Sequence, residues 1–316
     1  MGDPAGVGPE VICGALARLS PEQRETLLVV GDRATMERAN VVTQAGLRFV
    51  EGPGRQGDVQ VVNAATAGIE TVKPGLVSAA GGAAAFGYIE KAVQLAQAGL
   101  ASTLVTAPLN KAALHEAGHK YDGHTGLLQA LTKAPSSFML LAGDKLSTIH
   151  VSTHVSLEEA IRRVRPERVL ATIEVGVAHF KRLGVANPRI AVAGLNPHAG
   201  EGGLFGDQES SQLEPAIAMA KAKGIEVRGP MPPDSVFLRA AQGEFDLVVA
   251  MYHDQGHIPT KLLAFDRTVN VSLGLPIDRT SVDHGTAFDI AWKNIARPEN
   301  MVAAIEYAWR LEGYHG

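Results

Sequence analysis

The chain has a single cysteine, Cys13, among its 316 residues. One thiol cannot close an internal disulfide or supply a cysteine zinc cluster, so a stapled scaffold and a zinc-finger reading are both excluded. Long apolar runs are missing too. No stretch reaches the roughly 18 consecutive apolar residues that a membrane helix needs, and no secretory leader is expected. Neither charge sign dominates: 29 Lys and Arg stand against 33 Asp and Glu, a net charge of −4. The basic surplus of a nucleic-acid-binding protein is therefore absent. Internal repeats and low-complexity linkers are lacking as well. With 46% hydrophobic and 20% charged residues, the default expectation is a cytoplasmic globular protein with no nucleic-acid or membrane partner.

What is present is alternation. Thr26 to Asp32, Ser102 to Pro108, Ser137 to Gly143, Leu146 to Thr153, Arg189 to Asn196 and Phe245 to Ala250 are short, apolar and rich in β-branched residues, as buried parallel strands are. Between them, Phe86, Ile89 and Val93, and again Val169, Ile173 and Val177, recur at the three- and four-residue intervals of a helix. Two helices are expected to end in basic turns stopped by Gly184 and Gly224. Pro53 to Asp58 and Gly229 to Asp234 read as loops. Strands alternating with helices predict α/β layers around a mostly parallel sheet.

Three of the strand-like runs lead into a histidine: His154, His198 and His253. Open parallel sheets bind ligands beyond the carboxyl ends of their strands. Three imidazoles leaving one sheet edge would make a divalent-metal site, while each alone is more often a loop or capping residue than a ligand. Glycines at 194, 200, 202 and 203 crowd His198, which predicts a backbone forced close to a neighbour. Downstream, Lys261, Asn270 and Arg279 lie on segments that otherwise look buried and would suit a carboxylate or phosphate. The opening "GDPAGVGPE" (Gly2 to Glu10) reads as a tight loop feeding a helix N-terminus, with anion binding and a plain helix entry both open. No strand precedes it, so Met1 is expected not to be the natural start.

"GDPAGVGPE", "TAPLNK" (Thr106 to Lys111), "YDGHT" (Tyr121 to Thr125), "GLNPHAGEGG", "MYHDQGHIPTK" and "GLPIDRTSVDHGTAFD" (Gly274 to Asp289) follow one another along nearly the whole chain. In this order they resemble the 4-hydroxythreonine-4-phosphate dehydrogenase family of vitamin B6 synthesis. The resemblance implies an α/β fold similar to isocitrate and isopropylmalate dehydrogenases: two α/β subdomains with a cleft between them, residues 1–130 with 275–316 forming the first and 131–274 the second. It also implies a homodimer with an active site shared between subunits. The implied cofactors are NAD or NADP and a divalent metal such as zinc, magnesium, manganese, cobalt or nickel.

Carried over position by position, the family's metal ligands fall on His154, His198 and His253. Its substrate-binding residues fall on His124, Thr125, Lys261, Asn270 and Arg279. Asp234 matches an aspartate near the metal, and either it or Lys261 would relay the proton. Asp283, His284 and Thr286 match the stretch beside the nicotinamide. Asp254 and Gln255 are expected to support His253, and His257 is expected to be structural. The implied reaction is oxidation of a 4-phosphorylated 3-hydroxy acid followed by β-decarboxylation. Tyr121, His257 and "AFDIA" resemble a branch acting on 4-phospho-D-threonate or 4-phospho-D-erythronate, giving dihydroxyacetone phosphate and carbon dioxide. The vitamin B6 branch instead takes 4-hydroxy-L-threonine 4-phosphate. A cis-dihydrodiol carboxylate dehydrogenase, a metal-dependent hydrolase without nicotinamide and a non-catalytic binding protein are the other readings. Two departures stand out. Gly126 occupies the place of a glutamate usual after the GHT motif, and Asp278 places a carboxylate beside Arg279.

Overall fold

A computed structural model describes residues 1–314. Eleven strands occur among them: β1 (Leu28–Gly31), β2 (Phe49–Val50), β3 (Val59–Asn63), β4 (Thr103–Thr106), β5 (Phe138–Ala142), β6 (Ser147–His150), β7 (Ile190–Ala193), β8 (Val227–Met231), β9 (Leu247–Ala250), β10 (Val269–Leu273) and β11 (Asp278–Ser281). The chain forms two compact units, Met1–Ser136 together with the segment from Leu275 onward, and Ser137–Gly274. No helix among the described residues is long and apolar enough to cross a membrane.

In the first unit, β1, β3 and β2 form a parallel sheet in that order, and β4 pairs in parallel with β11. Helix Gly8–Arg18 buries Val11, Ala15 and Leu16 in a core that also takes Val29, Met36, Phe49 and Val61. Helix Ala79–Gln97 sends Ile89 and Val93, two of its predicted periodic positions, against Leu104, Leu127 and Leu128. Each such side chain removed from water contributes about 1.5–3 kcal/mol.

In the second unit the strands run in the order β10-β5-β6-β9-β7-β8. β6, β9, β7 and β8 are parallel neighbours, whereas β5 is antiparallel to both β10 and β6. Every residue of β5, β7 and β9 is buried, the pattern of strands covered on both faces. Helix Pro166–Arg182 buries Val169, Ile173 and Val177 and stops before Gly184, which has φ 88°.

One expected loop is corrected. Gly229 to Met231 belong to β8 rather than to a loop, and Pro233 opens the next helix. β8 lies at the end of the strand order, where Pro230 deprives no further neighbour of a ladder hydrogen bond. The composition of the segment therefore mimics a turn.

Candidate active site

The three histidines lie beyond the carboxyl ends of three adjacent parallel strands, since β9 sits between β6 and β7. None is at the strand terminus itself. β6 ends at His150 and His154 follows in a bend; β7 ends at Ala193 and His198 follows in a tight turn; β9 ends at Ala250 and His253 opens helix His253–Ala264. The exits are tied together. Val151 N donates to Ala250 O at 2.9 Å, and Ser152 Oγ donates to Met251 O at 3.1 Å. Gln255 accepts from Met251 N at 2.7 Å and donates to Gly194 O at 2.8 Å, bridging the β9 and β7 exits.

His154 and His253 approach with ring centroids 5.7 Å apart. His253 Nδ1 lies 2.7 Å from Asp254 Oδ1. A carboxylate can only accept, so Nδ1 carries the proton and the lone pair is on Nε2, the arrangement of a histidine metal ligand oriented by an outer partner. His198 Nδ1 lies 3.9 Å from Asp234 Oδ2, and both side chains are more than half exposed. The side chains as they stand thus form one histidine pair and one histidine–aspartate pair. Among the described residues no three His, Cys, Asp or Glu side chains surround a single point. In donor type the set suits a divalent ion, because neutral imidazole is a ligand for zinc and its neighbours in the first row.

His198 sits in an unusual turn. His198, Ala199, Gly200, Glu201 and Gly202 all have positive φ, from 45° to 81°. For the residues that are not glycine this costs about 1–2 kcal/mol each, so something must hold the turn. Glu209, 4% exposed, does so. Its Oε1 accepts from the backbone N–H groups of Leu195 and Asn196 at 2.8 Å each, and its Oε2 accepts from Asn196 Nδ2 at 2.9 Å. A Cβ on Gly200 would lie 2.7 Å from that Oε2, and one on Gly194 would lie 2.8 Å from Ala199 Cα. Gly194 and Gly200 thus meet the close neighbours expected around His198, whereas a Cβ on Gly202 or Gly203 would have nothing within 4 Å among the described residues, and these two serve the turn through their positive φ of 64° and 99°. Glu209 itself has no marking feature in the sequence.

Lys261 lies half-buried on helix His253–Ala264, and Asn270 half-buried on β10. In the first unit, Arg279 is 3% exposed and donates from Nε and Nη2 to Thr106 Oγ1 at 3.0 and 2.8 Å. Burial pulls its pKa down to about 9, which leaves it a cation at neutral pH. Its neighbour in sequence, Asp278, is half-buried. His124 and Thr125 open helix His124–Thr132, whose first turn has no side-chain cap. Burial, and then the charge of Arg279, hold His124 well below the usual histidine range, and its buried Nε2 has no hydrogen-bond partner among the described residues. A Cβ on Gly126 would lie 2.3 Å from Asp122 Oδ1, so the glutamate usual there would have to displace that carboxylate.

Three of the quoted motifs converge in this unit. Asp3 N donates to Pro108 O at 2.9 Å and Val7 N donates to Thr286 O at 3.0 Å. Asp3 is 1% exposed and accepts from Ala5 N at 2.9 Å, and burial raises its pKa to about 6. Thr286 is buried, Asp283 N donates to Asn300 Oδ1 at 2.6 Å, and the Nε2 of His284 is buried without a partner among the described residues.

Residues 23–308 match the family model described as pyridoxal phosphate biosynthetic protein PdxA. The chain belongs to this family. D-threonate 4-phosphate dehydrogenase of Pectobacterium atrosepticum is 48% identical, over 98% of this chain and 97% of its own. The crystal structure of 4-hydroxythreonine-4-phosphate dehydrogenase from Klebsiella pneumoniae is 46% identical with a TM-score of 0.89, covering 98% of this chain and 96% of that one. A β-decarboxylating dehydrogenase of Thermococcus kodakarensis, 12% identical with a TM-score of 0.50 over 91% of this chain and 83% of its own, shares the fold alone. This PdxA-family chain is a dehydrogenase, an oxidoreductase acting on a CH–OH group, with the α/β fold of the decarboxylating dehydrogenases.

Proposed function

We propose that this chain oxidises D-threonate 4-phosphate or a close 4-phosphorylated 3-hydroxy acid with NAD or NADP, then decarboxylates the β-keto acid formed. The observation that carries the reading is the placement of His154, His198 and His253 past the carboxyl ends of three neighbouring parallel strands. These histidines would hold a divalent metal. Such a metal, when bound, supplies Lewis acidity that lowers the pKa of the substrate hydroxyl and later stabilises negative charge as carbon dioxide leaves.

The remaining work falls to the chain. Lys261 or Asp234 takes the hydroxyl proton. The C3 hydrogen leaves as hydride to the nicotinamide, held beside Asp283, His284 and Thr286. Carbon dioxide departs from the β-keto acid, and a proton returned to carbon gives dihydroxyacetone phosphate. Arg279 attracts an anionic end of the substrate as a buried cation. His124 is held neutral, so its ring can donate or accept without adding charge, and Thr125 lies at a helix N-terminus that favours a phosphate. Asn270 adds a neutral hydrogen-bonding contact.

The working form in this reading is a cytoplasmic homodimer whose subunits share their sites. Support comes from exposed apolar side chains that line one open concavity of the second unit: Leu238 (62% exposed), Ile258, Leu262 (81%) and Leu263. Apolar patches of that kind mark protein interfaces.

The test is reduction of NAD and NADP, with added divalent metal, on 4-phospho-D-threonate, 4-phospho-D-erythronate and 4-hydroxy-L-threonine 4-phosphate side by side. The threonate is expected to be preferred. Preference for the amino acid moves the enzyme to pyridoxal phosphate synthesis, and no turnover of any of the three removes the substrate class.

A further inference from the structure

Helix His253–Ala264 carries a second histidine, His257, one turn beyond His253. It is 5% exposed. Its ring lies flat on that of His253, with centroids 3.6 Å apart and 13° between the planes. His257 Nδ1 is 2.9 Å from His253 O and 3.1 Å from His150 Nε2. His150, 1% exposed on β6, places its Nδ1 3.1 Å from Met139 O on β5.

Hydrogen-bond chemistry fixes every proton in this chain. Met139 O only accepts, so His150 carries its proton on Nδ1 and offers a lone pair at Nε2. His253 O also only accepts, so His257 carries its proton on Nδ1 and shares it between that carbonyl and His150 Nε2. His253 in turn gives its Nδ1 proton to Asp254 at 2.7 Å. Three rings, each with its proton placed on Nδ1, thus run from the sheet backbone to His253, whose Nε2 is left to face a ligand. The fit leaves no space to spare, because a Cβ on Gly256 would lie 2.4 Å from His150 Nε2.

We propose that His257, locked by His150, is a positioning residue that holds the His253 ring in the orientation needed to bind the metal. The proposal rests on the reading of His253 as a ligand. Metal-ligand orientation by groups outside the ligand set is typically worth about 10–100-fold in affinity.

Zinc affinity, measured by competition with a chromophoric chelator, tests this in four proteins: wild type, His253→Ala, His257→Phe and Thr260→Val. Phe keeps an aromatic ring on His253 but cannot donate to His150. Thr260 is buried one turn further along the same helix, with Oγ1 3.1 Å from Thr148 Oγ1, so its valine variant reports general loosening of the helix. The expected result is an affinity about 10–100-fold weaker for His257→Phe, near-complete loss for His253→Ala and little change for Thr260→Val. Wild-type affinity in His257→Phe, or an equal loss in Thr260→Val, overturns the positioning role while leaving the metal site intact. Absence of zinc binding by the wild type overturns the metal reading itself, and the positioning role with it. If His257→Phe does not fold, histidine-selective nitrogen-15 spectra of the wild type decide: His257 is expected as the Nδ1–H tautomer, and the Nε2–H tautomer refutes the proposal.

Discussion

The carboxylate of Glu209 grips Asn196 twice, through its backbone N–H at 2.8 Å and its side-chain amide at 2.9 Å. This clamp lies just before the left-handed turn that carries His198. In Glu209→Ala, the N–H groups of Leu195 and Asn196 lose their acceptor. Each buried donor left unpaired costs about 1–3 kcal/mol, and the turn is free to relax. The melting temperature is expected to fall by several degrees, and zinc affinity to fall with it. Glu209→Gln keeps one oxygen acceptor and is expected to lie between. Unchanged melting in Glu209→Ala would show that the turn is held by other means.

Arg279 and Thr106 make a prediction about substrate binding. With Thr106→Val, two N–H donors of a guanidinium that is 3% exposed lose their shared acceptor. The cation stays but its aim loosens. KM for the phosphorylated acid is expected to rise about tenfold, a loss of about 1.4 kcal/mol, while KM for the nicotinamide stays unchanged. Burial lowers the pKa of the arginine, but a guanidinium remains a cation through the pH range of the assay. An unchanged KM for the phosphorylated acid in Thr106→Val would separate Arg279 from anion binding.

Much of this arrangement is legible in the residue pattern, for identifiable reasons. β5, β7 and β9 are apolar on both faces, and helix Pro166–Arg182 repeats Val169, Ile173 and Val177 at helical spacing, so local pattern and burial agree. The adjacency of β6, β9 and β7 is not local, and the residue pattern showed only that three apolar runs lead into histidines, not that those strands are neighbours. Glu209 and His150 escaped because their roles depend on partners distant in sequence. Glu209 reaches back 13 and 14 residues to Asn196 and Leu195, and His150 meets His257 across 107. β8 escaped because Gly229 and Pro230, ordinary turn residues, serve at a sheet edge.

Asp3 predicts a pH dependence of stability. Burial raises its carboxyl to about 6 from an ordinary value of 3.8. Between those values the folded state binds more protons than the unfolded one, so this contribution is complete below about pH 4 and is lost as the pH rises through about 6. The amide of Asp3→Asn resembles the protonated acid. The variant should be more stable than the wild type at pH 8 by up to about 3 kcal/mol, at about 1.4 kcal/mol per pKa unit, and equal to it near pH 4. Melting curves at both pH values check this. The same difference at the two would mean that Asp3 is not buried as a reluctant anion.

The central claim is that His154, His198 and His253 hold one divalent metal together. X-ray absorption at the zinc edge of the zinc-loaded protein tests it most directly. Three imidazole nitrogens at about 2.0–2.1 Å are expected in the wild type, and His253→Ala, which loses nearly all zinc affinity, is expected to show no such shell. A shell of carboxylate and water oxygens with at most one imidazole, unchanged by that substitution, would contradict it.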